Sequence, residues 1–208
     1  MKILKLKYFI IIVIAGFTAY HSVYFRQLDE VQQQQRLQDF DAGQFAKEFW
    51  NETLLSQKEN APDIVDLLSR LKSDFDRAAK QYGHTLGVSN VHAFLVKGSG
   101  TIADITDENV IVQLPNNTQV EIATRYIFGN AIRDASSQLD VSDFPSTMEF
   151  NTISNALNSI VKNRVVSPFL ERAQVGQKID FFAATEIDSS EKAPNRLRLI
   201  PIQIEMQN

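Results

Sequence analysis

The sequence predicts an α+β domain carried behind one N-terminal transmembrane helix. Three observations lead there. Tyr8 to Phe25 is an apolar run without a charged residue. Stretches near residues 41–55, 61–82 and 146–163 repeat apolar side chains at helical spacing. Two further stretches, near 91–135 and 178–205, alternate with a period of two and are punctuated by Gly, Pro and Asn.

The apolar run covers residues 8–25, so as a helix it reaches about 27 Å. That approaches the ~30 Å hydrocarbon core of a bilayer. Lys2, Lys5 and Lys7 precede it and lone Arg26 follows. Positive charge stays on the cytoplasmic side, which keeps residues 1–7 inside and puts the rest outside. The run exceeds the roughly 7–15 apolar residues of a cleaved signal peptide. Ala15-Gly16-Phe17 and Ala19-Tyr20-His21 both end in a large residue where cleavage wants a small one. The reading is an uncleaved signal anchor.

The sequence has no cysteine, which excludes disulfides, thiolate metal sites, a thiol nucleophile and a lipidated cysteine within it. Fourteen Phe, five Tyr and one Trp supply apolar area for a core. The formal net charge is −4, with both signs interspersed after the anchor. No basic stripe is present to neutralise phosphates, which argues against nucleic acid.

Residues 26–38, with Gln32 to Gln35, form a helical stalk or a disordered polar spacer; composition allows either. The domain then runs from 39 to 208. Asp41 with Gln44, flanked by Phe40 and Phe45, has the form of a capped and stapled helix start. A second helix follows Asn60, with Ile64, Leu67, Leu71, Phe75, Ala78 and Tyr82 on one face and Gly83 as its stop. From Asn90 the period becomes two. Phe94 and Val96 share a face, Gly98 and Gly100 interrupt, and Val110, Val112 and Leu114 share the next face. Pro115-Asn116-Asn117 signals a turn before Val120 and Ile122. Tyr126 to Ala135 reads ambiguously, with a bend at Gly129. Ser146 to Glu149 spells a capping box opening the third helix. Two strands finish the chain, and Pro201 in the last suggests a sheet edge, because proline donates no ladder bond.

Four segments resemble a bacterial family. They are Phe40-Asp41-Ala42 with Phe49-Trp50-Asn51; Phe94 to Thr101; Gly129-Asn130-Ala131-Ile132-Arg133-Asp134-Ala135; and Asp143-Phe144 with Glu149-Phe150 and Asn155 to Asn158. Gly176-Gln177-Lys178 with Phe181 adds to them. The chain resembles domain of unknown function 2291, the predicted periplasmic lipoproteins. The resemblance implies a small antiparallel β-barrel of OB-like type with a helical subdomain. It also implies an envelope location and an association with sugar-type ABC transport, but no known activity. The chain departs from the family in lacking a cysteine to lipidate; the anchor in the inner membrane would replace it.

Candidate chemistry is sparse. Gly98-x-Gly100-x-x-Ala103 matches a dinucleotide fingerprint as a string, but β-branched Thr101 and Ile102 follow where a helix is required. A bulge or tight turn is the better reading, and no cofactor is expected. His84 and His92 lack a third ligand, so no metal is expected. There is no Gly-x-Ser-x-Gly elbow. Asp104, Asp107 and Glu108 cluster in a turn, where solvated carboxylates are ordinary. Arg133 and Asp134 are the notable pair. On a strand they point to opposite faces, so one is buried and paired elsewhere or clasps a ligand's carboxylate or hydroxyl. Gly129, Asp143, Asn155 and Asn158 are placed in the same candidate groove.

The expectation is a non-catalytic binding or accessory protein of the envelope, taking a sugar or other small molecule and serving uptake. Two alternatives stand beside it. One is a scaffold subunit for an ABC transporter's membrane component; the other is a hydrolase using paired carboxylates.

Overall fold

The computed structural model describes residues 17–18, 40–144, 146–190 and 197–207. The chain divides into two compact units, Met1–Asp41 and Ala42–Asn208. In the first, Phe17 and Thr18 are helical. The rest of the 8–25 span and the 26–38 stalk lie outside the described residues, and among those described no helix is long and apolar enough to cross a membrane.

The second unit is built on a closed barrel. Its strands are β1 (Gly83–His84), β2 (Val91–Ile105), β3 (Asn109–Gln113), β4 (Gln119–Ala123), β5 (Lys178–Asp188) and β6 (Leu197–Met206). The order β2-β3-β4-β6-β5 closes because β5 also pairs with β2 along its length, from Val91↔Asp188 to Thr101↔Lys178. β1 is a short appendage on β2. One pair corrects the all-antiparallel expectation: β4 and β6 run parallel, with Val120 opposite Leu197. A second correction concerns Pro201. β6 lies between β4 and β5, but β4 pairs only with Leu197–Leu199, so Pro201 has no partner on the β4 side. Pro201 sits where the β5–β6 register shifts, between Phe182 and Ala183. The residue skipped there is Ile202, and Pro201 stands opposite Ala183 where the ladder is already irregular, a place where a strand tolerates proline.

The barrel interior is filled by the inward phase of each strand: Phe94, Val96, Ile102, Val110, Val112, Val120, Ile122, Ile179, Phe181 and Leu199 are all buried. Gly98 and Gly100 continue that phase. A Cβ on Gly98 would meet Ile64 Cγ2 at 2.7 Å, and one on Gly100 would meet the Gln113 carbonyl at 2.7 Å. The glycine pair lets the wall approach its contents, and the string is strand throughout.

Helices α1 (Ala42–Glu48), α2 (Ile64–Ser73) and α3 (Phe75–Tyr82) precede the barrel. Helix α1 runs on in wider and then tighter turns to Lys58. The predicted 61–82 helix is two helices. Its true start is Asp63, whose carboxylate accepts from Val65 N at 2.8 Å. It breaks at Asp74, which is extended and caps α3 through Arg77 N at 3.1 Å. A short carboxylate competing for backbone donors ends one helix and starts the next. Ile64, Leu67, Leu71, Ala78 and Ala79 join the interior cluster.

Between β4 and β5 lie α4 (Ala131–Ala135), α5 (Thr147–Ile160) and α6 (Ser167–Leu170). Ser146 Oγ caps α5 through Glu149 N at 3.2 Å. The reciprocal half of the expected box is missing: Glu149 is buried and its Oε2 has no partner among the described residues. Helix α1 packs on α5, and α4 packs on β2 and β5. Leu95, Phe182, Ala184, Ile200 and Ile202 belong to the outward phase of β2, β5 and β6, yet all are buried. These helices cover that part of the wall with a second apolar layer.

Candidate functional site

Residues 131–135 of the stretch that reads ambiguously in the sequence form a short helix. Adjacent helical residues lie about 100° apart rather than on opposite faces, so Arg133 and Asp134 can meet. Arg133 Nε donates to Asp134 Oδ1 at 2.8 Å. Arg133 Nη1 donates to the Phe150 carbonyl at 3.3 Å and to Asn151 Oδ1 at 3.1 Å. The guanidinium lies 3.8 Å from the Phe150 ring centroid, and the residue is 4 % exposed. This is the geometry of a clamp between α4 and α5. Phe150 continues an aromatic chain through Phe144 to Phe45 and Phe49, with centroids 5.5, 5.6 and 6.3 Å apart.

Two other predicted residues join the clamp. Gly129 has φ +90°, and its carbonyl accepts from buried Asn158 Nδ2 at 2.9 Å. Asp143 and Asn155 are exposed and lie apart from it. Asp143 closes a small capping box with Asp140 in a single tight turn, and the Asn155 carbonyl accepts from Ser159. Ahead of Gly129, Tyr126 and Phe128 are exposed. Arg198 donates to the Tyr126 carbonyl and stands 5.7 Å from the Phe128 centroid.

Glu186, on the outward phase of β5, has its pKa raised above the ordinary 4.5, first by desolvation and then by the Asp134 charge; Arg198 and Arg133 oppose the shift. The residue remains exposed by area, so it is not the dry member of a catalytic pair. Asp104 near the end of β2 and Asp107 and Glu108 in the β2–β3 turn are exposed. His92 Nδ1 lies 2.7 Å from Thr85 Oγ1, and its ring meets Phe75 edge-on. Among the described residues no cluster of His, Asp and Glu could hold a metal ion.

The wall formed by β2, β3 and β5 carries a groove of ≈ 390 Å³, lined by Ser99, Gly100, Thr101, Gln113, Leu114, Pro115, Asn117, Lys178 and Gln207. Register builds it. Thr101 pairs with Gln113 on β3 and with Lys178 on β5. Since Gly98 and Gly100 face inward, Ser99 and Thr101 face out. Asn117, at φ 64°, shapes the rim through its N–H to the Leu114 carbonyl. The outward phase of Ser99 and Thr101 is legible in the sequence. Their adjacency to Gln113 and Lys178 is not, because it depends on strand pairing.

An OB-fold protein of known crystal structure from Thermotoga maritima MSB8 is similar, with TM-score 0.71 and 29 % identity, over 81 % of this chain and 99 % of that one. Replication protein A of U. maydis bound to ssDNA aligns over 64 % of this chain and 68 % of its own, at 12 % identity. Its TM-score is 0.24. No curated protein matches. The sequence matches the DUF2291 family, described as predicted periplasmic lipoprotein, over residues 13–205. That match supports a periplasmic location, and by it the chain belongs to the DUF2291 family.

Proposed function

We propose that this protein is a non-catalytic binding or accessory protein of the bacterial envelope. In this reading residues 8–25 hold it at the inner membrane, and a polar small molecule occupies the groove over β2, β3 and β5. The observation that carries it is a set of unspent groups. The Ser99 and Thr101 hydroxyls, the Asn117 amide and the Lys178 ammonium line one groove and have no side-chain partner among the described residues. Its volume falls within the roughly 300–1,000 Å³ of small-molecule sites. Service to a sugar-type transporter is the biological role this reading favours.

A thermal-shift screen of the full chain against sugars, sugar acids, polyols and amino acids tests it. A native-state ligand at a hundredfold excess over its Kd adds about 2.7 kcal/mol, and Thr101→Val should abolish the shift. If no compound raises the Tm, the binding reading falls.

The scaffold reading has its own observation: Tyr126 and Phe128 are 49 % and 66 % exposed in one loop beside Arg125 and Arg198. Co-purification of a transporter membrane component, lost in a Tyr126→Ser/Phe128→Ser variant, would favour it.

A further inference from the structure

We infer that the groove over β2, β3 and β5 takes a hydroxylated monocarboxylate, such as a sugar acid, with Lys178 as its counter-charge. This rests on the binding reading above and narrows it to one ligand class.

The shape follows from the sheet. Gln113, Thr101 and Lys178 stand side by side across three strands. Neighbouring strands are about 4.8 Å apart, so the row spans roughly 10 Å. Ser99 is one pleat further along β2, about 7 Å away on the same face. Those dimensions suit a six-carbon ring or chain laid across the strands.

The chemistry follows from what is already engaged. Gln113 is held on both sides: its Oε1 accepts from Gln119 Nε2 at 3.1 Å, and its Nε2 donates to the Thr118 carbonyl at 3.4 Å. It forms a fixed wall. Among the described residues, Lys178 is the only charged one lining the groove. Asp180 is next along the same face of β5, but its Oδ1 is taken by Gln207 Nε2 at 2.7 Å. Beyond it, Lys58 is paired with Glu205 at 3.2 Å, and Lys97 Nζ donates to the Glu59 carbonyl at 2.7 Å. One ammonium matches one carboxylate, as a charge-assisted hydrogen bond. The two hydroxyls and the Asn117 amide both donate and accept, which suits ligand hydroxyls. A phosphate would call for several cations or a nest of backbone amides.

The test is calorimetric titration of the full chain with D-galacturonate and D-galactose, which differ in a carboxylate against a hydroxymethyl group, and with D-gluconate. Galacturonate should bind at least about tenfold more tightly than galactose. Lys178→Met should bring it down to the level of galactose, while Lys178→Arg keeps the preference. Added salt should erode it. Lys178 is exposed, so the variants should fold, and emission from buried Trp50 checks that they do. Equal affinity for acid and neutral sugar, unmoved by Lys178→Met but weakened by Thr101→Val, overturns the ligand class and leaves the binding reading standing. Silence from galacturonate and gluconate also overturns the class. Whether binding falls with it is then read from the remaining compounds of the thermal screen.

Discussion

Arg133 lies against the face of Phe150, its guanidinium carbon 3.8 Å from the ring centroid. The contact joins a five-residue helix to the N-terminal half of α5. It also gives Arg133, in the Gly129–Ala135 segment, an architectural use. Replacing Arg133 by Met should cost about 3 kcal/mol, because half-buried Asp134 and the buried Phe150 carbonyl lose their partner. In a chain of this size that lowers Tm by roughly 6–12 °C. Arg133→Lys should recover only part, since an ammonium neither forks nor stacks as a guanidinium does. Thermal denaturation followed by Trp50 emission measures both. An unchanged Tm in Arg133→Met would show that the clamp contributes nothing.

The two barrel glycines should differ. A methyl at Gly98 meets the ends of the Ile64 and Phe181 side chains, whereas one at Gly100 meets the Gln113 carbonyl as well as Val112. Side-chain ends can shift and backbone in a ladder cannot. Both alanine variants should lose about 1–3 kcal/mol, with Gly100→Ala the worse. Urea unfolding ranks them, and the reverse order would refute the steric account.

Gly129 has open space around its Cα but φ +90°. Gly129→Ala therefore costs conformational strain alone, about 1–2 kcal/mol. Asn158→Leu removes the amide that fixes the Gly129 carbonyl, at a similar cost. Both act on one link between the loop and α5. A double-mutant cycle should show the pair losing less than the sum of the singles. Strict additivity would mean that the two act separately.

Glu186 gives a pH signature. Its carboxyl titrates above the ordinary 4.5, so just above that value the folded chain binds more protons than the unfolded chain. Stability then falls as pH rises through the window and returns as pH falls. Glu186→Gln should be the more stable protein at pH 7 and should lose its advantage below pH 4.5. Asp134→Asn should move the Glu186 titration downward, by removing the like charge; carboxyl NMR reads this directly. Asp140 and Asp188 shift the other way, held low by bonds from Ser142 and Ser190. Their contribution is lost as the medium becomes acid.

Much of this fold is legible residue by residue. Ser146 marks the start of α5, and Phe94, Val96 and Ile102 reveal the inward phase of β2, because caps and pleats are local. Tyr126 to Ala135 reads ambiguously because the five residues of helix there, Ala131–Ala135, are too few to show a period. Pro201 pointed to an edge because a bulge depends on the partner strand. The same limit applies to the groove: Ser99 and Thr101 show their direction in sequence, whereas Lys178 joins them only through a ladder between distant segments. The bond from Asn158 to the Gly129 carbonyl belongs to tertiary packing, which spacing along the chain does not reveal.

The parallel union of Val120 with Leu197 has a consequence in time. The wall of the barrel cannot close until the last strand has left the ribosome, since β6 sits between two strands already made. Such a distant pairing carries a high loop-closure cost and slows folding. Until it forms, β4 and β5 present bare ladders, and the interior phenylalanines face water, a state prone to association. An unfilled place between β4 and β5 therefore leaves an open half-cylinder, and one strand, β6, turns it into a closed wall.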